Sequence, residues 1–257
     1  MTRPLAVVTG AASGIGLALS TELSKRDVDV IAIDKDPCPF ASMPGITAAQ
    51  FDIRDTSAMQ ALADAYAGRP LDYLFANAGI AAPGSVFGAS DDDWQRAWDV
   101  NTMGPLNTLR CWWPHLKAAG GTAVVTASAA ALLTYPGAPL YRASKAALLS
   151  MLESLYYETQ GSGVSLHVLC PGMVRSNIIV NAKKESAAVQ SDRLTSMLEQ
   201  AMRAAEPAED FARRVLDGLD AAPFYWLTHD KTVAAMEKRH HALVIEGRPP
   251  MTFEDMP

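Results

Sequence analysis

Residues Leu5–Thr9 (LAVVT) form a short apolar, β-branched run, and Gly10, Gly14 and Gly16 follow at once. The run reads as a fully buried strand and the glycines as a tight turn, with Leu17–Lys25 as the helix that this turn opens. A second buried run, Val28–Asp34 (VDVIAID), closes on an acidic residue. Strand, turn, helix and strand in this order make a β-α-β crossover, which commits the chain to a parallel sheet.

The same residues carry a binding chemistry. Glycines let the backbone turn tightly and approach a pyrophosphate, and the helix N-terminus supplies unpaired N–H groups. An acid ending the second strand can bind an adenosine ribose. The unit is therefore of dinucleotide-binding type. Its spacing is G-x-x-x-G-x-G and not G-x-G-x-x-G, so the general fingerprint is met in mechanism and not in letter. A P-loop is excluded because Leu17 stands where its lysine would have to be.

The alternation continues along the chain. A short strand ends at Phe51-Asp52-Ile53, Thr56–Tyr66 has helical spacing, and Leu71–Ala76 is the next strand. Asp91–Asp93 open a long helix reaching about Leu116, acids at its start as the helix dipole prefers. Strand Thr122–Ser128, helix Tyr141–Thr159 and strand Ser165–Cys170 follow. Ser176–Ala205, polar and Met-containing, reads as one or two mobile helices that could form a substrate lid. Pro207 begins a helix to about Leu219, Phe224–Thr228 is a last strand and Lys231–Val244 a last helix, within an extension at about 223–257. Seven strands separated by helices predict one α/β domain over residues 1–257. The expected fold class is Rossmann-type: a doubly wound, mostly parallel sheet with helices on both faces and ligands at the C-terminal strand ends.

Composition narrows the function classes. The 22 basic and 28 acidic side chains leave a net charge of −6, and no basic run exceeds Lys183-Lys184. No nucleic acid and no membrane is expected as a partner. Cys38, Cys111 and Cys170 are an odd number without C-x-x-C, which fits a reduced, cytoplasmic protein and predicts no metal site. Between Arg3 and Thr9 the apolar run is too short for a signal sequence, so secretion is not expected. The uncharged stretch Ala118–Tyr141 is long enough to span a bilayer, but Gly120-Gly121, Pro136 and Pro139 would break a spanning helix. It reads as a strand followed by an active-site loop.

Tyr141 and Lys145 stand one helical turn apart, so phenol and ammonium can reach the same small volume. Alone, the pair is weak: a half-buried Tyr beside a solvated Lys has the same spacing. Ser128 taken singly could bond nearby backbone at a strand end, and Asn101 could cap or kink its helix.

The ordered set Thr9–Gly16 (TGAASGIG), Asp52-Ile53, Asn77–Ile80 (NAGI), Asn101, Ser128, Tyr141–Lys145 (YRASK) and Pro171-Gly172 closely resembles the short-chain dehydrogenase/reductase family, over nearly the whole chain. The resemblance implies hydride transfer between a nicotinamide cofactor and a carbonyl or hydroxyl carbon. Asn101, Ser128, Tyr141 and Lys145 would be the catalytic residues. Reducing a ketone develops negative charge on oxygen, which calls for a proton donor and a hydrogen-bonding hydroxyl, Tyr141 and Ser128. A free phenol titrates near about 10, and Lys145 one turn away is a source of the lowering a base at neutral pH needs. Asn101, by resemblance, would hold a water linking Lys145 to solvent.

For the cofactor, the resemblance implies Gly10, Ser13, Gly14, Ile15 and Gly16 at the pyrophosphate, Asp52 and Ile53 at adenine, and Asn77, Ala78 and Gly79 beneath the ribose. Pro171, Gly172, Val174 and Ser176 would meet the nicotinamide carboxamide, while Tyr141 and Lys145 also face the cofactor. Asp34 can accept both ribose hydroxyls of NAD and would repel the phosphate of NADP. NAD is thus expected ahead of NADP, with Lys35 beside Asp34, and a plain turn role for Asp34, as the counter-readings.

Substrate positions are expected at Ala130, Leu132, Tyr135, Leu140, Met173, Ile178, Met197 and Met202, a mostly apolar set suited to a hydrophobic secondary alcohol or ketone. His115, His167, His229 and His240-His241 lack ligand spacing and are expected in surface or core roles. Many family members follow the last strand with a glycine pair that joins subunits. Here His229-Asp230 follow, which puts the usual tetramer contact in doubt and leaves a homodimer or homotetramer open. A non-catalytic, cofactor-sensing protein on the same fold is the alternative.

Overall fold

The computed structural model describes residues 3–40, 43–133, 137–185 and 192–249. Strands β1 (Leu5–Thr9), β2 (Asp29–Asp34), β3 (Ile46–Gln50), β4 (Tyr73–Ala76), β5 (Thr122–Thr126), β6 (Ser165–Cys170) and β7 (Tyr225–Leu227) form one sheet in the order β3-β2-β1-β4-β5-β6-β7. Every pairing is parallel. The chain winds outward from β1 to β3, then returns to the other side of β1 to lay down β4. A crevice therefore opens at the C-terminal ends of β1 and β4, where successive crossovers leave in opposite directions.

The strand sequences explain the layers, because side chains alternate between the two faces. Leu5 and Val7 of β1, Ile31 and Ile33 of β2, and Ala123 and Val125 of β5 enter one core, with Met59, Leu109, Trp112, Leu148 and Leu152. Ala6 and Val8, Val30 and Ala32, and Val124 enter the other, with Leu19, Leu23, Phe211 and Val215. The covering helices are α1 (Gly14–Lys25), α2 (Thr56–Ala65), α3 (Asp91–Trp98), α4 (Gly104–Ala119), α5 (Ala129–Leu132), α6 (Pro139–Glu158), α7 (Ile178–Glu185), α8 (Asp192–Ala204), α9 (Ala208–Asp217) and α10 (Asp230–His241). Both faces of β1 are dry, which is why it reads as an unbroken apolar run and not as an alternating one. Among the described residues no helix is long and apolar enough to cross a membrane.

The expected long helix from Asp91 is two helices, α3 and α4, joined by a π-helical turn over Asp99–Met103. Pro105 has no N–H to offer the Asn101 carbonyl, which an unbroken α-helix would require of it. Gly104 at the end of this turn is where Ile53 packs, and a Cβ there would overlap the isoleucine side chain. π turns of this kind gather at functional sites. The strand expected over Thr122–Ser128 ends at Thr126, and the last strand is shortened to Tyr225–Leu227.

Candidate active site

A cavity of about 720 Å³ occupies the crevice. Its floor is made rigid by Thr9, at the end of β1. Thr9 Oγ1 accepts from the backbone N–H groups of Asn77 (3.0 Å) and Ala78 (3.1 Å), and Asn77 Nδ2 donates to the Thr9 carbonyl at 3.2 Å. Thr126 Oγ1 donates to Asn77 Oδ1 at 3.1 Å, so the ends of β1, β4 and β5 are locked by polar bonds at the point where backbone pairing stops. Gly10, at φ +72°, passes so close that a Cβ would lie 2.9 Å from Ala78 Cα. Gly16 does not face the cavity; a Cβ there would overlap the Gly10 carbonyl, so it closes the turn from behind. Ser13, Gly14 and Ile15 line the cavity.

Asp34 ends β2 in the same wall. Its Oδ2 accepts the Ala12 N–H at 2.9 Å and its Oδ1 the Asp36 N–H at 3.0 Å. The carboxylate is thus tied to the glycine turn while still bordering the cavity, together with Lys35, Asp52 and Ile53. Arg54 also lines this end, which the sequence did not announce. Its guanidinium grips Asp52 at 2.8 Å and holds that carboxyl below the usual carboxylate range.

Lys145 is 2% exposed and donates from Nζ to the Thr126 carbonyl at 2.8 Å. Burial lowers its pKa from 10.5 to about 8. Above it runs Gly79, where a Cβ would stand 3.3 Å from Lys145 Nζ and 3.1 Å from Asn101 Oδ1. Asn101, fully buried on the π turn, stands behind this wall. Its side chain bonds both backbone groups of Ile80, at 2.8 and 3.0 Å, and donates to Ser144 Oγ at 3.1 Å. Thr102 Oγ1 donates to the Ser144 carbonyl at 2.9 Å, so the π turn is fastened to α6 immediately before Lys145. Tyr141, half-buried on the same face of α6, and Ser128, at the N-cap of α5, line the cavity with Lys145. Ser128 Oγ accepts the Ala130 N–H at 3.1 Å, a bond that leaves its hydroxyl proton unused.

Past β6, Pro171, Gly172, Met173, Val174 and Ser176 form a strap along the opposite wall. Gly14, at φ +53°, touches it: a Cβ would lie 2.8 Å from Ser176 Cβ. The strap is fastened from outside. Val174 bridges Glu206, Arg175 N–H donates to the Glu206 carbonyl at 2.8 Å, and Arg214 pairs with the Glu206 carboxylate at 2.6 Å. His229 is not a plain surface or core histidine, since its Nδ1 accepts the Gly172 N–H at 3.1 Å.

Of the expected substrate positions, Ala130, Met173, Ile178 and Met202 line the cavity. Leu140 does not: it is 1% exposed and packs with Ala82 and Ala97. One residue from Tyr141 on a helix is about 100° away, which turns Leu140 toward α3. Leu132 packs against the main core, and Leu133 reaches the cavity instead. Tyr135 and the side chain of Met197 lie outside the described residues. Ala82, Pro83, Asp93, Arg96, Val100, Ala138, Ile179, Asn181 and Ala182 also line the cavity and were not among the expected site positions. Ala82 and Ala138 hold φ of +44° and +47°, left-handed backbone that is strained for alanine and clusters at working sites.

A glycine turn that admits no Cβ and a carboxylate at the end of β2 share one cavity with Ser128, Tyr141 and Lys145, a lining that fits a dinucleotide. The model of the family described as short chain dehydrogenase matches residues 4–187, and the chain belongs to that family. It is 31% identical over 230 residues to meso-2,3-butanediol dehydrogenase of Serratia marcescens, covering 85% of this chain and 88% of the relative. It is 35% identical over 183 residues to 1-deoxy-11-beta-hydroxypentalenate dehydrogenase of Streptomyces avermitilis, covering 66% and 68%. Among solved structures, a short chain dehydrogenase/reductase from Burkholderia phymatum in complex with NAD superposes with a TM-score of 0.88 at 28% identity, over 97% of each chain. The protein is accordingly a hydride-transferring oxidoreductase that uses a nicotinamide cofactor.

Proposed function

We propose that this enzyme interconverts a hydrophobic secondary alcohol and its ketone with NAD(H), in preference to NADP(H). The observation that carries the proposal is the buried Lys145 ammonium, one turn from Tyr141 and directly under Gly79. Bound nicotinamide would supply the hydride acceptor or donor. Tyr141 gives a proton to, or takes one from, the reacting oxygen. Lys145 favours the phenolate by its charge and reaches the ribose, and Ser128 donates to the same oxygen. Asn101 secures the π turn and Ser144, and so the position of Lys145, with its backbone as the group available to a water.

The glycine turn, Asp52, Ile53, Asn77, Ala78 and Gly79 would hold the adenosine half, and the strap Pro171–Ser176 the carboxamide. Asp34 supports NAD because its carboxylate, anchored by Ala12 and Asp36, would face the ribose hydroxyls and repel a phosphate. The NAD in the Burkholderia structure supports the same reading. The apolar residues Ala130, Met173, Ile178, Ile179 and Met202 support a hydrophobic substrate, with α7 and α8 as a lid. The relative named for a secondary diol supports the alcohol class. A homodimer or homotetramer is part of the proposal, favoured by Tyr157 and Tyr225, exposed beside the edge strand β7.

A panel of secondary alcohols and ketones with NAD(H) and NADP(H), followed by nicotinamide absorbance, tests the proposal. Turnover of apolar ketones with NADH is the expected result. Exclusive use of NADPH, or of charged sugars, would refute it.

A further inference from the structure

We propose that His229 is a positioning residue for the nicotinamide end of the cleft. Its unprotonated Nδ1 holds the Gly172 N–H and thereby fixes the Pro171–Gly172 turn. The inference rests on the reading above that this turn meets the nicotinamide carboxamide.

Two donors converge on one ring nitrogen. The Gly172 N–H lies 3.1 Å from His229 Nδ1, and Thr228 Oγ1 lies 2.9 Å from the same atom. A backbone amide can only donate, so Nδ1 must offer its lone pair and the ring carries its proton on Nε2. The ring is also seated by shape: it stacks on Phe211 with centroids 6.4 Å apart and 26° between planes. Gly172 is the residue that permits this seat, since a Cβ there would stand 2.9 Å from His229 Cγ. Glycine and histidine therefore require each other across the end of the sheet, and Gly172 lines the cavity on its other side.

An imidazolium would turn a second N–H toward the Gly172 N–H, and the bond would be lost. The charged groups on the packed elements are Arg214 of α9, its partner Glu206, and Asp230 at the start of α10. Arg214 Nη1 donates to the Thr228 carbonyl at 3.1 Å, and its guanidinium lies 5.3 Å from the Phe211 ring centre. Cys170 ends β6 two residues before Gly172, a buried thiol whose pKa burial raises to about 11, so it is neutral. The Gly172 N–H thus asks for a lone pair on Nδ1, which the neutral ring offers and an imidazolium lacks.

The test compares wild type with His229→Asn and His229→Leu. Asparagine sets an oxygen near the place of Nδ1, accepting the amide without titrating. Expected for His229→Asn is a KM for NADH within about threefold of wild type, because the amide oxygen replaces the acceptor that Gly172 needs. Expected for His229→Leu is a loss in kcat/KM for NADH of on the order of 10²-fold, as for small misplacements of a binding element. Histidine-selective ¹⁵N NMR on wild type should show Nδ1 as a bare acceptor at neutral pH. An asparagine variant whose KM for NADH rises more than about tenfold overturns the proposal even if the leucine variant does not fold. So does an NMR signature of a protonated Nδ1. If no alcohol or ketone in the panel reacts, NADH affinity by fluorescence replaces kcat/KM for the three proteins. The substrate reading then fails separately from this one.

Discussion

Lys145 Nζ donates to the Thr126 carbonyl at 2.8 Å, with the whole ammonium inside the protein. Burial brings its pKa from 10.5 to about 8, an interval of about 3 kcal/mol held against the folded, charged form. Between these two values the unfolded chain binds more protons than the folded one, so stability rises with pH through the window. Below about pH 8 both states are charged and the cost is present in full. Lys145→Met removes the charge and leaves the Thr126 carbonyl unpaired, at about 1–3 kcal/mol. The variant, inactive, is expected to gain in Tm relative to wild type at neutral pH and to lose that advantage toward pH 10. An offset independent of pH would contradict the assignment.

Tyr141→Phe deletes the proposed proton path and little contact surface. Turnover is expected to fall by about 10²–10⁴-fold, the usual worth of a positioned acid or base, with NADH affinity within a few-fold of wild type. Pre-steady-state hydride transfer and NADH fluorescence titration check the two halves. Near-native turnover would remove Tyr141 from the chemistry.

Asp34 ties two backbone amides as well as facing the cavity, so its replacement acts twice. Asp34→Ser is expected to raise the KM for NAD by about tenfold or more, through lost ribose bonds and a looser turn, and to increase relative use of NADP by removing charge repulsion. Steady-state constants with both cofactors decide it. A wild type that prefers NADP would shift attention to Lys35.

The lid assignment rests on α7 and α8, which contribute Ile178, Ile179 and Met202 to the cavity wall. Hydrogen exchange of these two helices is expected to slow when NADH and a ketone bind together. High and equal protection with and without ligands would make them a fixed wall.

Local features were legible before the structure. The buried run before Gly10 fixes a strand and a turn, and helical period alone puts Tyr141 and Lys145 on one face. Leu140, expected in the pocket as part of the loop after Ser128, belongs instead to α6, whose turn directs it toward Ala82 and Ala97. The π turn at Asn101 hid because its causes, Pro105 and the fit of Gly104 to Ile53, are a missing donor and a distant contact. His229 and Gly172 are 57 residues apart and carry no shared motif, so only the fold joins them.

The bridge between Val174 and Glu206 has a consequence for how such a chain can change. It ties Val174, within the strap, to Glu206, two residues before α9, so the two ends of the intervening segment lie side by side. A segment closed in this way meets an entropic cost that grows only slowly with length, about 0.6 kcal/mol per doubling. On the proposed reading this makes it an exchangeable cassette, whose content is expected to tolerate rewriting for a new alcohol while the glycine turn, Asp34 and Lys145 stay as they are.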